Sequence, residues 1–180
     1  MSNHTAQSVI DFWKHAGPKR WFAKDEAFDA VFRETFHGTH LQAARRELEH
    51  WLDFAEGALA LLILLDQYPR NAFRGTAHMF ATDPLARLYA ARMVDAGLDH
   101  QVEPALRAFC YLPFEHSEDP ADQQRSLSLN QALDASTYHW AKEHARIIER
   151  FGRFPHRNQV LARQTTEAER VFLEEGGFAG

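Results

Sequence analysis

Apolar residues recur at helical spacing along almost the whole chain. Val9, Phe12 and Trp13 stand at i, i+3 and i+4, and Gly17-Pro18 closes that segment. Phe28, Val31, Phe32, Thr35 and Phe36 repeat the pattern as far as Gly38. Thr39 with Gln42 then reads as a capping box opening a stripe of Leu41, Ala44, Leu48 and Trp51. Asp53 with Glu56 marks the next start, for a helix running to about Gln67, after which Pro69 and Gly75 predict a loop. Asp83 reads as an N-cap before Pro84, with Leu85, Leu88, Tyr89 and Met93 as the buried stripe and Gly97 as the C′ residue. Pro104 opens a short helix towards Leu112, which Pro113 ends. Asp119-Pro120 repeats the cap-then-proline signal for a helix to Leu133. Trp140, His144, Ile147 and Phe151 mark the following helix, and Thr166 with Glu169 caps a last one before Gly176-Gly177. No stretch alternates with period 2, and no Asn-Gly or Asp-Gly hairpin signal separates strand-like runs. The pattern predicts an all-α protein: one domain over residues 1–180, built of antiparallel helix hairpins with short connections.

Composition narrows the class. The 180 residues carry 45% hydrophobic and 12% aromatic residues, too much apolar area for a disordered chain. A single cysteine excludes a disulfide framework and a Cys-based zinc finger. A formal charge of −5 argues against a nucleic-acid partner, whose binder carries a basic footprint. The strongest apolar run, Ala58 to Leu65, spans about 12 Å as a helix, too short for a bilayer, and reads as a core helix. The polar start Met1-Ser2-Asn3-His4 lacks a basic region ahead of an apolar run, so a cytoplasmic protein is expected. One imbalance stands out: sixteen of the twenty cations are Arg and only four are Lys.

Three segments concentrate the polar residues. Asp66 to Thr76 holds Arg70, Asn71 and Arg74. Glu115-His116-Ser117-Glu118-Asp119 with Asp122 is an acidic loop. Arg146 to Asn158 holds Arg146, Arg150, Arg153 and Arg157 against the single acid Glu149. Tyr68-Pro69-Arg70-Asn71 and Phe154-Pro155-His156-Arg157-Asn158 echo one another. Arg is a planar, permanently charged fork suited to carboxylates and phosphates. Two readings follow for Arg70, Arg74, Arg153 and Arg157: they clamp Glu118, Asp119 and helix C-terminal carbonyls, or they line a cleft for an anion. His116, in a loop among acids, is a candidate general acid or base, with Glu118 or Asp119 to orient it. Ser117 and Asp119 also suit helix capping, and there is no Gly-x-Ser-x-Gly elbow. Cys110 reads as buried and inert, and His144 as a hydrogen-bonded core residue. No metal site is indicated: His139 and His144 are five apart, His37 and His40 read as chance neighbours about Gly38, and His-Glu-x-x-His is absent. No Gly-x-Gly-x-x-Gly or Walker-type run implies a cofactor.

The motifs themselves carry a resemblance. Leu64-Leu65-Asp66-Gln67-Tyr68-Pro69-Arg70-Asn71, Phe73-Arg74-Gly75-Thr76, Phe80-Ala81-Thr82-Asp83-Pro84-Leu85-Ala86, Tyr111 to Asp119 and Phe151 to Asn158 resemble, in order, the hallmarks of a bacterial family, domain of unknown function 924. Val9 to Trp13 and Arg20-Trp21-Phe22 fit as well. The resemblance implies an all-α, tetratricopeptide-like stack of helices and no particular activity. Arg163-Gln164-Thr165-Thr166 and Tyr68 depart from the family's usual residues, at positions that read as outside the polar cluster.

The favoured expectation is a binding module whose concave face holds Arg70, Asn71, Arg74, His116, Arg153, His156, Arg157 and Asn158, for a small anion or a peptide carboxylate. The alternatives are a hydrolase acting on an anionic substrate through His116 with Glu118 or Asp119, and a purely structural network.

Overall fold

A long helix that bends at a single wide turn organises the first part of the molecule. In the computed structural model, which describes residues 4–178, the chain gathers into two compact units, residues 4–74 with 78–113, and residues 75–77 with 114–178. Among the described residues there is no strand, so the all-α expectation holds.

The first unit contains α1 (Ala6–Ala16), α2 (Pro18–Trp21), α3 (Glu26–Ala44), α4 (Ala55–Leu62), α5 (Tyr68–Ala72) and α6 (Asp83–Asp95), with 3₁₀ turns at Glu49–Asp53, Leu98–Gln101 and Pro104–Cys110. α4 is apolar on every side: Ala55 and Gly57 to Leu62 are all buried, so it must be surrounded. It packs against α1, α6 and the 3₁₀ turns. An aromatic layer lies beside it. Trp13 and Phe32 are fully buried, with Phe12 stacked on Phe32 and Phe109 edge-on to Trp13.

Three breaks expected from the sequence are absent, each for a tertiary reason. α3 runs through Gly38, and Thr39 is buried mid-helix rather than capping. An interior Gly costs only about 1 kcal/mol relative to Ala, and burial of Phe36, His40 and Ala43 on the same helix outweighs that. Pro113 lies inside the short helix α7 (Leu112–Glu115), not after it. Pro69 does not end the long helix. Ile63–Gln67 forms a π turn, closed by a bond from the Tyr68 N–H to the Ile63 carbonyl, and α5 continues through Pro69. The side-chain stripes also differ in detail, since Val31 and Leu88 are exposed while Ala86 and Ala90 join Tyr89 and Met93 inside.

The π turn exposes carbonyls that a regular helix would satisfy. The Tyr68 N–H bonds one residue further back than usual, and Pro69 has no N–H. Side chains meet the carbonyls at the bend instead. His40 Nδ1 lies 2.9 Å from the Leu64 oxygen, Thr82 Oγ1 2.5 Å from that of Leu65, and Arg70 Nη1 2.8 Å from that of Asp66.

His40 must carry its proton on Nδ1 to donate to that carbonyl. It is fully buried, its Nε2 has no partner, and burial lowers its pKa from the ordinary imidazole value of 6.5 to about 4, against the Leu64 carbonyl, which raises it. Between those pH values the unfolded chain binds the proton and the native state does not, so stability is lost as the pH is lowered through that window. Urea titrations at pH 7, 5.5 and 4.5 should show this loss, with a slope of at most about 1.4 kcal/mol per pH unit from this residue. A His40→Gln variant should flatten it, and an unchanged acid limb in that variant would place the titration elsewhere.

The second unit is built on a helical hairpin. α8 (Pro120–Leu133) and α9 (Ala135–Phe151) are joined through Asp134, whose carboxylate accepts from the Ser136 and Thr137 N–H groups. A 3₁₀ turn, Pro155–Arg157, leads on to α10 (Glu167–Glu174), which opens with the expected capping box of Thr166 and Glu169. Ile147, Ile148 and Phe154 form the apolar core, with Phe151, Phe172 and Phe178 packed on it.

Candidate functional site

The arginines of the first segment are turned onto carboxylates of their own unit. Arg70 straddles Asp83 at 2.8 and 3.0 Å and reaches the Asp66 carboxylate at 3.2 Å, with its guanidinium 5.6 Å from the centre of the Phe80 ring. Burial opposes the Arg70 charge, yet Asp66 and Asp83 hold its pKa above the ordinary arginine value. Asp83 therefore serves as an acceptor for Arg70 and not as the expected cap, and Thr82 occupies the N-cap position of α6. Asn71 Nδ2 donates to Asp29 at 2.7 Å, and Arg74 grips the same carboxylate at 3.0 and 3.3 Å.

Asp29 was not visible as a partner by charge counting. Its signal is its register: Asp29, Phe32, Phe36 and His40 are spaced 3, 4 and 4 along α3, so an acid and an imidazole share the buried aromatic stripe.

The acidic loop and the third segment meet within the second unit. Glu118 accepts from Arg163 at 2.7 and 3.0 Å and from the Phe154 N–H at 2.8 Å. Burial alone would raise its pKa, but those donors and the nearby charge of Arg157 hold it below the usual value. Arg163, read from the sequence as lying outside the polar cluster, sits at its centre. Its Nε also donates to the Asn158 side chain at 3.0 Å. Asp119 caps α8 by accepting from Ala121 N, and Ser117 Oγ donates to Asp122 at 2.7 Å. Arg153 pairs bidentately with Glu169 at 2.6 and 2.9 Å and drives that carboxyl down to about 2.

Two histidines of this unit, His144 and His156, pack on Phe154. His144 Nδ1 lies 2.9 Å from the Trp140 carbonyl and 3.1 Å from Glu115, both acceptors, so that nitrogen carries the proton. The His116 ring is 6.3 Å from His144, and the His144 and His156 rings are 5.6 and 5.7 Å from Phe154. The Arg157 guanidinium lies over the Phe154 ring at 4.4 Å. Cys110, in the first unit, is fully buried, and burial pushes its thiol pKa far up, so it stays protonated and inert. Among the described residues no group of three His, Cys, Asp or Glu stands where it could hold a metal ion, and no helix is long and apolar enough to cross a membrane.

Arg150 differs from Arg70, Arg74, Arg146 and Arg153, each of which holds a carboxylate. Arg150, exposed near the end of α9, contacts only rings: its guanidinium lies 4.7 Å from the Phe151 ring centre and 5.6 Å from that of Phe172. It has no carboxylate partner among the described residues. Beside it is a hollow of about 340 Å³ lined by Glu143, Arg146, Ile147, Arg150, Phe151, Phe172, Phe178 and the Gly176-Gly177 backbone. Arg146 in this wall pairs with Glu143 at 2.5 Å.

These features define an all-α protein with neutralised internal arginines and one open guanidinium at an aromatic hollow. The chain belongs to the family described as bacterial protein of unknown function (DUF924), whose model matches residues 9–177. It is similar to a solved structure from Agrobacterium tumefaciens, the protein of unknown function ATU0120. The two are 58% identical, with a TM-score of 0.93, over 95% of this chain and 97% of that one. No curated protein matches.

Proposed function

We propose that this protein is a cytoplasmic binding module of helical hairpins, stacked in the tetratricopeptide manner, that recognises an anion. The observation that carries the reading is Arg150. Three of the arginines expected at the site spend their charge internally: Arg70 on Asp66 and Asp83, Arg74 on Asp29, Arg153 on Glu169. Arg150 keeps an open guanidinium, rested on two aromatic rings beside a hollow. Rings hold such a cation in place without occupying its N–H donors, which stay open to an incoming negative group. His156 and Arg157, both against Phe154, with His116 near His144 and Asn158 next in the chain, form a second polar cluster. A hydrolase would need His116 oriented by Glu118 or Asp119, and both of those carboxylates hold other donors.

Thermal unfolding of the full chain at low ionic strength, with acetate, benzoate, phosphate and sulfate in turn, tests the reading. At least one anion should raise the melting temperature, and Arg150→Ala should abolish that shift while leaving the unliganded protein folded. Arg157→Ala is the comparison at the second cluster. Shifts that survive Arg150→Ala unchanged would move the site elsewhere.

A further inference from the structure

The two kinds of lining in the Arg150 hollow specify what fits it. On α9, Arg146 and Arg150 are four residues apart on one ridge, and Glu143, Ile147 and Phe151 follow the adjacent ridge. Glu143 cancels Arg146, because the two are paired. That leaves a single net positive charge, carried by Arg150. The remainder of the wall is Ile147, Phe151, Phe172, Phe178 and the glycine turn, with no polar side chain.

A ligand with one negative charge matches this wall, and one with two does not. A second charge would face the electron-rich ring surfaces with no second cation to meet it. It would also lie near the C-terminal ends of α9 and α10, where helix dipoles disfavour anions. Phosphate is normally cradled by convergent backbone N–H groups. Here the N–H groups of Gly176 and Gly177 are already given to the carbonyls of Leu173 and Phe172, at 3.2 and 2.9 Å. A guanidinium without such a cradle suits a planar carboxylate, which it meets with two parallel hydrogen bonds.

The hollow is half open, and its volume bounds the part of a ligand it can hold. A volume of about 340 Å³ is near the lower end for small-molecule sites. Gly177 keeps the wall tight: a Cβ there would come within 2.5 Å of the Phe172 carbonyl oxygen and 2.6 Å of its ring. The turn at the end of α10 can fold closely enough to hold the Phe172 ring against Phe151 only because that position is bare.

Resting on the anion-binding reading, we infer that the hollow takes a compact apolar monocarboxylate. Its carboxylate sits on Arg150, and its aryl or branched alkyl body lies against Phe151, Phe172 and Phe178. The same chemistry is offered by a free acid and by a peptide C-terminus ending in an apolar residue.

Calorimetric titration of the full chain at low salt separates the possibilities. The probes are 3-phenylpropionate, its alcohol 3-phenylpropanol, propionate, phenyl phosphate and N-acetyl-alanyl-phenylalanine. 3-Phenylpropionate should bind about tenfold or more tighter than the alcohol, propionate and phenyl phosphate. Arg150→Ala should weaken it about 10- to 100-fold, the range for losing hydrogen bonds to a charged group, and Arg150→Lys should restore part of the loss. Comparison with the acetylated dipeptide names the source, the tighter of the two being the one used. Arg150-dependent binding of phenyl phosphate at equal strength would overturn the monocarboxylate class and leave the anion reading intact. Equal binding of propionate or the alcohol would overturn the paired charge-and-apolar recognition. If no anion depends on Arg150, both proposals fall.

Discussion

Replacing Arg70 by Ala should lower the unfolding free energy by about 3–5 kcal/mol, the range for breaking a buried ion pair from one side. The substitution removes a cation from beside two carboxylates, and Asp66 is almost fully buried. It also takes away the guanidinium N–H that meets the Asp66 carbonyl at the π turn. The carboxylates left behind remain in an apolar setting, where charge is costly. Arg146→Ala is the matched control: its pair with Glu143 is largely solvent-exposed, and such pairs are worth about 0–1 kcal/mol. Equilibrium urea unfolding followed by circular dichroism resolves the two. A loss at Arg70 no larger than at Arg146 would show that the network does not hold this part of the fold.

Gly57→Ala should destabilise the protein by about 3 kcal/mol or more, beyond the usual range for overpacking. Helix propensity points the other way. Gly57 lies inside α4, where Ala is favoured by about 1 kcal/mol. Packing decides the sign. A Cβ at this position would lie 2.2 Å from the Trp51 carbonyl oxygen and 2.6 Å from the Phe54 ring. The ring could swing away, but the carbonyl belongs to the backbone of the Glu49–Asp53 turn and moves only if that turn moves. A lowered melting temperature together with shifted tryptophan fluorescence should report this. A variant as stable as the parent would mean that the turn gives way at little cost.

Local chemistry made much of the helix pattern readable. The Asp119-Pro120 start, the Thr166–Glu169 capping box and the Gly17-Pro18 stop depend on neighbours a few residues away, and all three are present. Pro69 misled because its tolerance comes from far away. His40 on α3 and Thr82 at the N-cap of α6 supply donors that no local window contains. The polar segments were found by counting charge, yet their pairings were not. Arg70, Arg74 and Arg153, expected on Glu118 and Asp119, instead hold Asp66, Asp83, Asp29 and Glu169, while Glu118 belongs to Arg163, 45 positions along the chain. Opposite charges in a sequence say that pairs will form. Which carboxylate meets which guanidinium is set by packing. Arg150 shows the converse, since nothing in its immediate sequence distinguishes it from Arg146.

The π turn at Ile63–Gln67 also sets an angle. Each added residue advances a helix by about 100° around its axis, so one surplus residue in a turn rotates everything beyond it relative to everything before. α4 can thus present apolar groups on all sides while the next turn delivers Arg70 to Asp83 and Asn71 to Asp29. Shortening the turn by one residue would leave the composition of both halves almost unchanged and aim the second half at the wrong neighbours. In this stretch the number of residues carries information that their identities do not, and the chain holds its polar contacts through a screw offset as much as through charge.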